Sequence, residues 1–203
     1  MFMWGGSLLY LTVMLLAFIL ALAVQGMEGK SCGFFDIKLR KTWLAVVAFV
    51  LQTVTRLLGV CGVESAVKYS FIIQTLVFIL LFLCFWFNRE YLGLCFVGLG
   101  ASMNALVMLI NGGRMPVSLE AMQKAGVKEV TEMILSGADN KHVVISSTTK
   151  LKFLADVIYL PGFIGKGMGV VSIGDLVVAL GLFIFIFELF TYPLMALKKK
   201  NEK

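Results

Sequence analysis

YLGLCFVGLGASMNALVMLINGGRMPVS, running from Tyr91 to Ser118, decides how this chain folds. From Tyr91 to Asn111 it holds no charged residue. A helix rising about 1.5 Å per residue needs roughly 20 apolar residues to cross the hydrocarbon of a bilayer, and this segment supplies them. The apolar run then stops at Asn111-Gly112-Gly113-Arg114-Met115-Pro116. Paired glycines permit positive φ, Pro116 fixes the direction of exit, and a polar loop begins. A membrane helix that ends in a built turn is the reading that follows.

Working outward, Trp4 to Val24, Trp43 to Gly62, Tyr69 to Phe87 and Val170 to Tyr192 have the same character. Backbone in lipid must satisfy its own hydrogen bonds, so such segments are helices. The expected fold class is an all-α membrane protein: five transmembrane helices (4–24, 43–62, 69–87, 91–111 and 170–192) with a structured extracytoplasmic loop, 112–169, between helices 4 and 5. Residues 1–203 form a single integral membrane domain. Composition agrees. Hydrophobic residues make up 60% of the chain and charged residues only 15%, against about a quarter charged in soluble domains. Met1 to Tyr10 holds no Lys or Arg, so the first segment is read as a retained helix and not as a secretory signal.

The formal net charge of +6 does not point to nucleic acid, because the basic residues flank the apolar segments. Lys30, Lys38, Arg40 and Lys41 share one short loop, and Lys198, Lys199, Lys200 and Lys203 close the chain. Basic residues in short loops stay cytoplasmic and touch anionic headgroups. With the tail inside, five spans put the amino terminus outside, and 112–169 also lies outside. The expected place is a bacterial cytoplasmic membrane. Cys32, Cys61, Cys84 and Cys95 show no CxxC or Cys/His spacing, so they read as buried free thiols. With a single histidine, no metal site and no cofactor are expected.

The loop is not low-complexity. Ser118 is placed to cap a helix through Ala125 with Gly126 as its stop; Lys128 to Ser136 reads as a second helix ended by Gly137. Ala138-Asp139-Asn140 signals a turn, and His142 to Thr149 is extended. Leu151 to Leu160 carries an apolar face expected to lie along the outer membrane interface. Pro161 ends that segment, and Gly162, Gly165, Gly167 and Gly169 lead flexibly into the last span.

Polar groups inside spans are costly, so their depth is informative. Counting inward from the outer ends places Arg56, Gln74, Asn104 and Asp175 at roughly 7 to 11 Å, with Gln52 one turn deeper. Four helices thus carry polar groups in one layer, where Arg56 and Asp175 are expected within pairing or one-ligand reach. The competing reading is structural: amides tie helices together, Asn111-Gly112-Gly113 caps a helix, and Glu188 pairs at most with the basic loop. The functional reading makes Gln52, Arg56, Gln74, Asn104, Asn111, Gly112, Gly113, Arg114, Asp156 and Asp175 a ligand site open to the outside. Arg114 supplies a forked cation suited to phosphate or carboxylate. His142 reads as a solvated or capping residue. Cys61, His142 and Arg56 have no spacing that supports a transpeptidase. No nucleophile sits beside a base, so a hydrolase using Asp156 and Asp175 ranks last. Gly98, Gly100, Ala101 and Ser102 are expected to allow close packing of the fourth helix.

Asn111-Gly112-Gly113-Arg114-Met115-Pro116-Val117, Thr149-Lys150-Leu151 through Leu154-Ala155-Asp156, and Val171-Ser172-Ile173-Gly174-Asp175 resemble a family of small bacterial integral membrane proteins known only as domain of unknown function 5317. The resemblance extends over nearly the whole chain. It implies a bacterial membrane protein with Asp156, Asp175 and Arg114 in one outer-face assembly, and no activity. The expected function is non-enzymatic binding of an anionic or polar-headed ligand, a lipid or lipid-linked headgroup, at the outer leaflet. The alternatives are an accessory or assembly subunit of a membrane complex and a small-solute transporter built as a homo-oligomer. Partners are membrane lipids and a membrane protein or second copy.

Overall fold

The computed structural model describes residues 5–28, 39–61, 63, 65, 68–137, 139, 141–160 and 169–201. Among these, the long apolar segments form α1 (Gly5–Glu28), α2 (Trp43–Val60), α3 (Ser70–Phe87), α4 (Leu92–Ile110) and α7 (Ile173–Asn201). Leu92–Ile110 and Ile173–Phe190 are long and apolar enough to cross a membrane; Leu8–Val24, Trp43–Gly59 and Phe71–Phe87 are shorter apolar stretches. The tight Asn88-Arg89-Glu90 connection sets α3 and α4 antiparallel, with Arg89 4.6 Å from the Trp86 ring. The principal packing makes a row: α2 on α3, α3 on α4, α4 on α7, α7 on α1.

The closest of these contacts, between α4 and α7, depends on glycine. A Cβ at Gly93 would strike the backbone of Phe185, and one at Gly181 the backbone of Val97 and Gly93. One at Gly100 would strike Gly174 and Val178. The helices therefore meet backbone to backbone, as small residues allow in membrane proteins. Gly100 has the packing role its sequence context suggested. A Cβ at Gly98 would meet the Phe85 side chain of α3 at an ordinary 3.5 Å.

Helix ends show how side chains replace missing backbone partners. The Glu188 carboxylate accepts the backbone N–H groups of Leu92 and Gly93, both at 2.9 Å, so it caps α4 and does not serve the basic loop. Asn88, 1% exposed, donates to the Arg40 and Cys84 carbonyls at 2.7 and 2.8 Å and accepts from the Arg40 N–H at 2.7 Å. Asn111 repeats the arrangement at the other end of α4. It donates to the Val107 and Lys150 carbonyls and accepts from the Lys150 N–H at 3.0 Å.

The described residues between α4 and α7 pack against one end of the row. They contain β1 (Met115–Val117), α5 (Leu119–Ala125), α6 (Lys128–Leu135), β2 (His142–Val144), a 3-10 turn (Lys152–Leu154), β3 (Ile158–Tyr159) and β4 (Val170–Val171). Both short helices begin and end near their expected residues. Ser118 Oγ accepts from the Ala121 N–H, and Gly126 stops α5 at φ +70°. The extended segment is β2, three residues long, pairing parallel with β1. β1 itself was not expected, because Met115-Pro116-Val117 is too short to show alternation. Val171 opposes Ile158 in an antiparallel pair, so α7 starts three residues later than expected.

The segment 151–160 is a turn and a strand. Phe153 is 62% exposed while Leu154, Ala155 and Asp156 are buried, so its apolar residues divide between surface and interior. Met115 and Leu154 pack with Phe78 of α3 and Ala105, Val107 and Met108 of α4. Ile158 and Leu160 pack with Leu9 of α1 and Ala179 of α7. Each fully buried Leu, Ile or Met contributes about 1.5–3 kcal/mol, so 112–169 is fastened to the bundle on both sides. Lys30, Lys38, Cys32, Glu64, Pro161, Gly162, Gly165 and Gly167 lie outside the described residues.

Candidate functional site

The last helix opens with Ser172-Ile173-Gly174-Asp175, and the spacing S-x-x-D is a capping box. Ser172 Oγ accepts the Asp175 N–H at 2.9 Å, while Asp175 Oδ2 accepts the Ser172 N–H at 3.0 Å. Two orphan donors of α7 are satisfied at once. The other carboxylate oxygen, Oδ1, accepts from Asn104 Nδ2 at 2.8 Å and from the Tyr10 hydroxyl at 2.7 Å. Ser172 Oγ in turn donates to Asn104 Oδ1 at 3.0 Å. Three helices, α1, α4 and α7, are thereby joined in one closed hydrogen-bond set. Asn104 and Asp175 meet, but their polar groups are spent on each other and on Ser172 and Tyr10.

Arg56 is not the partner of Asp175. Its helix, α2, packs on α3, and α3 and α4 stand between it and α7 in the row. Among the described residues, the charge of Asp139, between α6 and β2, reaches Arg56. Asp139 is buried, and so is His142. His142 Nδ1 lies 2.7 Å from Asp139 Oδ2, and Asp139 Oδ1 accepts the Lys141 N–H at 2.8 Å. His142 Nε2 faces Asp156 Oδ2 at 3.8 Å. His142 is therefore an interior residue held between two carboxyl groups, which corrects its reading as a solvated one.

Asp156 is placed by backbone: its N–H donates to the Pro116 carbonyl and its carbonyl accepts from Ser118 N–H, both at 2.9 Å. The side chain receives less. Oδ1 is buried without a hydrogen-bond partner among the described residues. Burial and then the charge of Asp175 push its carboxyl well above the usual carboxylate range, against a small opposing pull from Lys141. Burial holds the His142 imidazole below its usual value, opposed by the bond to Asp139. For Asp139 burial pushes upward, but the His142 bond and the Lys141 N–H outweigh it and leave the carboxylate below its usual range. At neutral pH these directions leave His142 neutral and Asp139 ionised, and they favour the protonated form of Asp156 over the ionised one.

The remaining expected site residues separate clearly. Gly112 and Gly113 have φ of +79° and +84°, and the Gly113 N–H reaches the Met108 carbonyl at 2.8 Å. This is a Schellman cap on α4, so Asn111, Gly112 and Gly113 serve the helix end. Arg114 is half-buried and makes no hydrogen bond or ion pair among the described residues. Gln74 is buried, and Gln52 Oε1 is buried without a partner among the described residues. Cys84 is buried, whereas Cys61 and Cys95 are free and exposed, contrary to expectation. Among the described residues no group of three His, Cys, Asp or Glu is placed to hold a metal; Asp139 and Asp156 sit at opposite ring nitrogens of His142.

Tyr10, Ser172, Asp139 and His142 are residues the sequence reading left out of the site. The capping-box spacing marks Ser172. Tyr10 lies about 9 Å along the first apolar segment by the same helical rise used for Asn104. Asp139 and His142 have only a three-residue separation to suggest them.

A family model described as "Family of unknown function (DUF5317)" matches residues 36–187, and the chain belongs to that family. An uncharacterized protein of Thermotoga maritima is 28% identical over 174 residues, covering 85% of this chain and 89% of that protein. No solved structure matches.

Proposed function

We propose that this member of the family is a five-span bacterial cell-membrane protein, amino terminus outside and carboxy terminus inside, with 112–169 as its outer cap. Large apolar side chains cover the outward surfaces of the helices: Leu15, Phe49, Ile72 and Trp86 are each more than half exposed. Apolar surface of that extent needs a lipid or protein cover.

Beneath the cap, the chain binds a polar-headed or anionic ligand, a lipid headgroup, without changing it chemically. The observation that carries this reading is the buried Oε1 of Gln52, which has no partner among the described residues. A buried acceptor left unmade costs about 1–3 kcal/mol, and a ligand hydroxyl or amine would satisfy it. Arg56 lies one turn above on the same helix face, and the half-buried Arg114 adds a second cation on the same side of the bilayer. Asn104, Asn111, Gly112, Gly113 and Asp175 are removed from the ligand list, since their hydrogen-bonding or backbone roles are already filled. Because the helices form an open row, transport would require a second copy to enclose a path.

Native mass spectrometry with lipid identification tests the proposal on Gln52→Leu and Arg114→Gln. Both variants are expected to retain less co-purified lipid at near-normal thermal stability, since neither change breaks a hydrogen bond among the described residues. Unchanged retention in both would overturn the binding reading.

A further inference from the structure

Asp156 has an environment unlike any other acid among the described residues. It is 6% exposed, its Oδ1 has no hydrogen-bond partner among them, and no Lys or Arg among the described residues is in ion-pair contact with it. Two backbone hydrogen bonds, to Pro116 of β1 and to Ser118 just after it, fix its position. Across from it, His142 Nε2 lies 3.8 Å from Oδ2, while the other ring nitrogen is held at 2.7 Å by Asp139.

The charged and titratable groups around this line come from several elements. Asp175 of α7 and Lys141 act on Asp156, Tyr10 of α1 is within electrostatic reach, and Arg56 of α2 lies toward Asp139. From α5 and α6, Met122 and Ile134 pack against Val117, with Val144 beside them, as an apolar wall. The charged residues of those two helices, Glu120, Lys124, Lys128, Glu129 and Glu132, are exposed.

We infer that Asp156 is a proton-binding site, held as the neutral acid inside the cap, and that His142 exchanges its proton with Asp139. A buried carboxyl with no cation and no donor is stable only when protonated. An ionised Asp156 would also face the negative charge of Asp175. The exchange balances one proton. The Asp156 O–H proton passes to His142 Nε2 as the Nδ1 proton passes to Asp139 Oδ2. Asp156 is left ionised, Asp139 protonated, and His142 neutral in its other tautomer; the reverse step restores the start. At 3.8 Å the Asp156–His142 gap exceeds hydrogen-bond length, so exchange requires an approach of about 1 Å or one bridging water. The inference stands apart from the lipid-binding proposal, because neither Gln52 nor Arg114 takes part.

Infrared spectroscopy of the full chain in detergent at neutral pH tests it. The wild type should show the carbonyl stretch of a protonated carboxylic acid, lost in Asp156→Asn and retained in Asp139→Asn. On transfer to heavy water the band should shift with deuteration, and His142→Gln and Asp139→Asn should both slow that shift by about a hundredfold. If Asp156→Asn does not fold, Asp156→Glu should move the band. Absence of the band in wild type, or a band unmoved by either change at position 156, would overturn the site. Unslowed deuterium exchange in both relay variants would overturn the role of His142.

Discussion

Asn104 is the residue on which the contact between α4 and the start of α7 depends. It donates to Asp175 and accepts from Ser172, so Asn104→Leu would leave a part-buried carboxylate short of a donor and a hydroxyl short of an acceptor. The expected loss is about 2–3 kcal/mol, read as a lower thermal midpoint in detergent. Gly112 makes a smaller and separate case. A Cβ there meets nothing, so Gly112→Ala should cost only the left-handed backbone penalty, about 1–2 kcal/mol.

The residue scale also sets the pH dependence. Asp156 is raised in the folded state, so its contribution is fully present below the unfolded carboxyl value of about 3.9. It declines as pH rises from there until Asp156 itself ionises. His142 is lowered, so the unfolded chain binds the extra proton and stability falls as pH drops below about 6.5. Denaturant titrations should show Asp156→Asn flattening the first slope and His142→Gln the second. Slopes unchanged by either substitution would contradict these assignments. The sequence alone placed Asp156 in the site, through its resemblance, but read His142 as surface. Nothing in a polar, β-branched stretch reveals which residue a parallel strand pair will turn inward.

Among the elements, the α4–α7 pair is held by glycine at its centre and carboxylates at its ends. Gly93 and Gly100 of α4 face Gly181 and Gly174 of α7, and each added Cβ would meet opposing atoms. Gly181→Ala should force the helices apart and destabilise the fold by about 1–3 kcal/mol. Glu188→Ala should cost about 0.5–2 kcal/mol through the lost cap on α4. Helix boundaries were legible because apolar length and Gly or Ser punctuation are local signals: α2 and α4 match their expected starts within a residue. What was not legible is nonlocal. Charge and depth suggested Arg56 opposite Asp175, but neighbour order in the bundle decides pairing, and α3 and α4 stand between α2 and α7. The strand pairs of the cap were missed for the same reason, since their partners come from distant positions.

For the whole molecule, the proposal is a row of five spans closed at its outer end by 112–169, with the ligand site beneath that cover and the Asp156 proton site within it. The number of apolar segments, the basic flanks and the folded loop were readable from composition and spacing. The arrangement of the row was not. Cysteine labelling of intact cells with a membrane-impermeant thiol reagent tests the topology most directly. Cys61, exposed at the end of α2, and a Ser147→Cys variant at an exposed cap position should label from outside, each in a chain whose other cysteines are replaced. A chain keeping Cys32 alone should label only after the cells are opened. Labelling of Cys32 in intact cells, with Ser147→Cys protected, would contradict an outer cap and everything built on it.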